Sequence, residues 1–222
     1  MSFIVAIDGP AGSGKGTITE IICEKLNLIN ISTGGAYRSV ALATLQNNIQ
    51  INEIEKIVDL LDKINIEFKR ENNKDLVYLN GKDVTRRIRE KDVTNIVSKV
   101  SSIKEVRFKL NELFRKVAKD KKVIMEGRDI GTYVFPNADV KIYLDASLEE
   151  RAKRRVKQNE ELGIHIPYEE IKEDIRKRDE NDKNKEIGAL KKADDSIYID
   201  TSNMTIEEVT NEIIDIIKNK MT

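Results

Sequence analysis

The sequence predicts an α/β fold in which a parallel sheet is flanked by helices. Three observations predict it. Short apolar runs recur between helical patterns, a glycine-rich loop joins the first run to the first helix, and one segment breaks the rhythm with strand-like alternation.

The first run, Phe3-Ile4-Val5-Ala6-Ile7-Asp8, is apolar at five successive positions and ends at a glycine, as suits a strand buried on both faces. "GPAGSGKGT", Gly9 to Thr17, follows. Beyond it Ile18, Ile21, Ile22, Lys25 and Leu26 recur at helical spacing. Between strand and helix, G-x-x-x-x-G-K reads as a phosphate-binding loop rather than an ordinary turn. Its glycines let backbone N–H groups turn toward an anion, the helix dipole adds to them, and Lys15 supplies a mobile charge. Position 16 is glycine where most such loops carry the hydroxyl that meets Mg²⁺, and the hydroxyl comes one residue later, at Thr17.

Further strands are expected near 28–32 and at 123–126, 140–145 and 197–200. A last helix over 205–218 sets Ile206, Val209, Ile213, Ile216 and Ile217 on one face. "INIEFKRENNKDLVYLNGKDV" alternates with period two and carries Asn80-Gly81, so an antiparallel hairpin or small sheet is inserted in the α/β domain. From Glu149 to Lys192 the chain is highly charged, and mobile helices projecting from the core are expected there.

The 222 residues suffice for one domain with a proper core. Lysine plus arginine and aspartate plus glutamate number 39 each, so no global charge draws the chain to nucleic acid or membrane. The single Cys23 excludes an internal disulfide and suits a small core residue. No signal peptide and no apolar run near the ~20 residues of a membrane span appear, so a cytoplasmic protein is expected.

Four clusters could bind or transfer charged groups. "STGGAYR", Ser32 to Arg38, joins a helix start to an arginine and suits a second anion site. "MEGRDIGTYVFP", Met125 to Pro136, sets Arg128 and Asp129 past the end of a buried strand, where open sheets bind ligands. "RAKRR" places Arg151, Arg154 and Arg155 near one helix face, although alone such a run is usually a solvated basic surface. "RKRDENDKNK" brings Arg178 and Asp182 together at i, i+4, which could equally be a surface ion pair. His165 is given no role. No Cys/His cluster suggests a structural metal.

Together these residues resemble the bacterial cytidylate kinases, a branch of the nucleoside monophosphate kinases. "IDGPAGSGKGT", "TGGAYR", "GRDIGTYVFP", "KIYLDAS", "ERAKRR" and "RDENDKN" carry the likeness over nearly the whole chain, the GRDIGT block being the most particular. The resemblance implies the P-loop NMP-kinase fold, with a core of about 1–32, 102–148 and 186–222, an NMP-binding insert of about 33–101 and a short lid of about 149–185. It implies transfer from ATP to CMP or dCMP with Mg²⁺, in a monomer. ATP would meet Gly9, Pro10, Ala11, Gly12, Ser13, Gly14, Lys15, Gly16 and Thr17, and the lid residues Arg151, Arg154 and Arg155. Mg²⁺ would sit on the ATP phosphates, with Thr17 beside it.

CMP would meet Thr33, Gly34, Tyr37, Arg38, Ser98, Arg107, Arg128, Asp129, Arg178, Asp182 and Lys185. Among these Arg38 and Arg128 would hold the phosphate, and Ser98, Arg107 and Asp129 would read the cytosine. Lys15, Arg128, Arg178 and Asp182 would form the catalytic group. Ser32, Lys185 and Ala189 depart from the family's usual aspartate, arginine and proline. The alternatives are sibling kinases acting on AMP, UMP or shikimate, and a P-loop switch. A GTPase needs N-K-x-D and D-x-x-G, and neither is present.

Overall fold

A computed structural model describes residues 2–71, 74–161 and 163–221. In chain order it comprises β1 (Phe3–Asp8), α1 (Lys15–Leu26), β2 (Ile29–Ser32), α2 (Thr33–Gln46), α3 (Ile54–Leu61), β3 (Ile66–Glu71), β4 (Lys74–Leu79) and β5 (Lys82–Asp83). A 3₁₀ turn at Arg87–Arg89 then leads to α4 (Lys91–Val100), α5 (Lys104–Ala118) and β6 (Lys122–Gly127). After a π-turn at Ile130–Val134 come β7 (Val140–Asp145), α6 (Leu148–Glu161), α7 (Tyr168–Lys183), β8 (Ile197–Asp200) and α8 (Ile206–Met221).

Five strands form a parallel sheet in the order β2-β6-β1-β7-β8. β1 lies at its centre, so its successive side chains must be buried on opposite faces. Ala6 joins Ile31, Val123 and Met125 in a core shared with α2, α3, α4 and α5. Val5 and Ile7 join Ile124, Ile142 and Leu144 in a second core with α1 and α8. This two-sided burial explains why β1 was legible as a plain apolar run and β7 as one interrupted only by Lys141. β6 proves one residue longer at each end than expected, and β2 starts one residue later.

Helix α8 corrects one detail of the expected pattern. Val209, Ile213 and Ile217 are buried as the spacing required, and Ile214 joins them, but Ile206 is 54 % exposed. Ile206 opens the helix, before its buried face meets the sheet.

The segment after α3 forms a three-stranded antiparallel sheet, β3-β4-β5. Asn80 and Gly81 turn β4 into β5 with positive φ at both, as a tight hairpin requires. The Asn72-Asn73 connection lies outside the described residues. Ile66, Val77 and Leu79 pack into the same core as α2 and α5, so the insert lies against one face of the main sheet.

The charged stretch is less loose than its composition suggested. α6 and α7 pair through a small core of Ala152, Ile171 and Ile175. Among the described residues, no helix is long and apolar enough to cross a membrane.

Candidate active site

β1 has β6 on one side and β7 on the other, so the sheet's winding reverses at its C-terminal end. An open α/β sheet offers its ligand crevice at that place. The loop Gly9–Gly14 occupies it. Gly9 has a φ of +153°, and a Cβ there would stand 1.9 Å from the Leu144 carbonyl oxygen, so only glycine fits.

Lys15 is the first residue of α1, and its ammonium folds back over the loop. It donates to the carbonyls of Gly9 (2.8 Å) and Pro10 (2.6 Å) and to Ser13 Oγ (3.1 Å). Burial, then the nearby Arg128, hold its pKa well below the usual lysine range. A phosphate would relieve both effects. Thr17 is exposed two residues further along α1, and the Glu126 carboxylate lies beside Gly16, 3.7 Å from where its Cβ would be.

The basic run on α6 divides into three different environments. Arg151 is buried, donating to the carbonyls of Ala146 (2.9 Å) and Ala11 (3.0 Å) and pairing with Asp179 of α7. Asp179 in turn accepts from the Ala11 N–H at 3.2 Å. The three share one side of α6, as their spacing expects, with Arg151 against Gly12 and Arg154 near Gly14, but the face is not a uniform solvated run: Arg151 ties the helix pair to the loop backbone. Arg154 donates to the Thr201 carbonyl oxygen at 2.6 Å, and Arg155 is exposed beside Gln158.

Three arginines from separate elements converge beyond β6. Arg38 donates to Ile88 O (3.2 Å) and Thr94 Oγ1 (2.7 Å). Burial and the neighbouring Arg178, Arg155, Arg89 and Arg128 pull its pKa down to about 10. Arg178 is held down by burial and Arg128, and no carboxylate pairs with it among the described residues. Arg128 donates Nε to Asp182 at 2.8 Å. Asp182 thus pairs with Arg128 and with Lys185 (2.8 Å), not with Arg178, its neighbour one turn back on α7. Burial pushes the Asp182 carboxyl up, but these cations hold it at about 2. Cations crowded together with too few carboxylates destabilise one another until an anion arrives.

Past the arginines, Arg107 and Asp129 form an ion pair, 3 % and 5 % exposed. Arg107 also donates to Ser101 O at 3.2 Å, and its guanidinium lies 5.6 Å from the ring centre of Tyr37. Burial raises the Asp129 pKa against the pull of Arg107. Gly188 (φ +67°) lies against the pair so closely that a Cβ would fall 1.7 Å from an Arg107 nitrogen. Thr33 donates to Glu126 O at 2.7 Å, while Gly34 faces open space and Ser98 is half-buried with its carbonyl accepting from the Ser101 and Ser102 hydroxyls. Lys185 also donates to Ser101 Oγ at 3.0 Å.

The cytidylate kinase family model matches residues 5–219. The chain belongs to the cytidylate kinase family. A cytidylate kinase of Caldicellulosiruptor saccharolyticus is 47 % identical over 96 % of this chain and 94 % of that protein. One from Lactobacillus gasseri is 48 % identical over 97 % and 94 %. An uncharacterized protein from Eubacterium ventriosum, whose crystal structure superposes with a TM-score of 0.56 at 14 % identity over 97 % of this chain and 98 % of that one, shares the fold.

For a cytidylate kinase, sequence reasoning missed several groups that hold this site together. Asp8 is buried at the end of β1, accepts from the N–H groups of Ile130 (2.8 Å) and Gly131 (2.7 Å), and is pushed up to about 6 by burial. It pins the turn that carries Arg128 and Asp129. Asp179, Glu126 and Ser101 were missed as well. Asp8, Glu126 and Asp179 stood inside the recognised motifs, which was the only signal available.

Proposed function

We propose that this chain transfers the γ-phosphoryl group of ATP to CMP or dCMP, giving ADP and CDP or dCDP. Transfer between two phosphates needs positioning and positive charge more than a strong base. The observation that carries the reading is the run from the Lys15 loop, through the under-neutralised Arg38, Arg128 and Arg178, to the buried Arg107–Asp129 pair. A triphosphate, an acceptor phosphate and a base need those three environments in that order.

The loop Gly9–Thr17 would cradle the ATP phosphates, with Lys15 leaving its backbone carbonyls to meet them. Arg38 and Arg128 would hold the CMP phosphate, Arg178 would bridge toward the transferring group, and Asp182 and Lys185 would fix Arg128 and face the sugar. Thr33, Gly34 and Tyr37 would line the CMP side, and Ser98, Arg107 and Asp129 would read the cytosine. The segment 33–101 would serve as the nucleotide-binding insert and 149–185 as a lid that excludes competing water.

Mg²⁺ fits the residues present. No cluster of three or more His, Cys, Asp or Glu side chains suited to a metal occurs among the described residues, so the ion would rest mainly on phosphate oxygens and water. Thr17 and the Glu126 carboxylate beside Gly16 are the hard oxygen groups close to that place. Bound there, Mg²⁺ would offset phosphate charge. We take the protein to act as a cytoplasmic monomer.

A coupled ADP-release assay over CMP, dCMP, UMP and AMP tests this reading. CMP or dCMP is expected to give the highest kcat/KM, and a preference for AMP would overturn it.

A further inference from the structure

Arg107 and Asn111 lie one helical turn apart on the face of α5 that also buries Leu110 and Phe114. Arg107 uses its terminal nitrogens on Ser101 O and Asp129, but its buried Nε–H has no partner among the described residues. Asn111 is 2 % exposed, and neither its amide nitrogen nor its oxygen has a partner there. Its position is bracketed from both sides. Arg107, one turn earlier, reaches Asp129, while Arg115, one turn later, donates to the carbonyls of Val134 (3.2 Å) and Tyr133 (3.4 Å). Asn111 thus stands over the π-turn Ile130–Val134, directly behind the pair assigned to the base.

A buried amide without partners destabilises a fold, and leucine would fill the same space without that cost. The orphaned groups are also complementary, a donor on Arg107 and an acceptor on Asn111. Their Cβ atoms, four residues apart on one helix, come within about 5–6 Å. Cytosine, on entering, would compete for Asp129 through its amino group and for a terminal Arg107 N–H through N3. The guanidinium must then pivot away from Asp129, and a fixed acceptor at Nε would set where it stops.

We propose that Asn111 is a positioning residue, whose Oδ1 takes the Arg107 Nε–H when the nucleotide binds. This rests on the reading of Arg107 and Asp129 as the base-recognition pair.

Asn111→Leu is expected to raise the KM for CMP about tenfold, the loss of one hydrogen bond to a charged group, with kcat and the KM for ATP unchanged. Its thermal midpoint should rise, a split that a merely structural residue would not give. Asn111→Asp keeps the oxygen and should restore KM. On the intact protein, nitrogen-15 spectra should show one arginine Nε–H becoming slow to exchange on adding CMP. That signal should vanish in Arg107→Lys and in Asn111→Leu. A wild-type KM in Asn111→Leu, or no arginine Nε–H protected by CMP in the wild type, would overturn the proposal. If Arg107→Lys left the CMP to UMP preference unchanged, the underlying assignment of Arg107 to the base would fall instead.

Discussion

Asp129 accepts a hydrogen bond from the Arg107 guanidinium, and both side chains are closed off beneath the backbone of Gly188. Donor and acceptor groups are held ready at the far end of a cationic crevice, so an entering base must match both. Asp8 fixes one partner through the π-turn, and α5 fixes the other.

The Arg151–Asp179 pair clamps α6 and α7 to the phosphate loop through both polar groups of Ala11. Asp179→Ala leaves the Arg151 charge buried and unpaired, which is expected to cost about 3 kcal/mol or more. Urea unfolding measures this, and a loss below about 1 kcal/mol, the size of a surface pair, would contradict the clamp.

Lys15→Ala is expected to lower kcat at least about 10³-fold, because the charge is needed where the phosphates gather. Stability should hold, since the lysine is kept in place at the cost of a strongly depressed pKa. Turnover and thermal unfolding on the same preparation check both parts. Turnover close to wild type from a folded variant would remove the loop from the mechanism.

Acid stability should depend on Asp182. Its folded pKa is about 2 against 3.8 for a free aspartate, so ionisation favours the folded state above pH 4. That contribution, about 2 kcal/mol, is lost as pH falls from 4 toward 2. Asp182→Asn should flatten the pH dependence of unfolding in this window. An unchanged slope would show that Arg128 and Lys185 do not hold the carboxylate.

The sheet was legible because β1 and β7 are buried on both faces, which leaves an apolar run of five residues at Phe3–Ile7 and a run at Val140–Leu144 broken only by Lys141. The helix pair after β7 was read as charged and projecting. Only Ala152, Ile171 and Ile175 form its buried core, too few to outweigh the charges in the sequence. Arg151 was read as part of a basic face because its partner Asp179 lies 28 residues away. Arg38, Arg128 and Arg178 were found through their motifs, and the structure brings them together. Asp182 was matched with Arg178 by helical spacing, but Arg128, just past the end of β6, competes more successfully. Asn111 carried no signal, since one polar residue in an amphipathic helix looks like surface.

Base choice tests the central claim most directly. Cytosine offers an amino donor beside the N3 acceptor, and uracil reverses both. Asp129 suits the first and opposes the second, and such polar readout can discriminate by up to ~10⁴-fold. Asp129→Asn keeps the volume of the side chain and can turn its amide to donate to uracil. The decisive measurement is kcat/KM for CMP and UMP in wild type and Asp129→Asn by ADP release. Wild type should prefer CMP strongly, and the variant should narrow that preference at least about tenfold, chiefly through loss on CMP. An unchanged CMP to UMP ratio would show that Asp129 does not read the base.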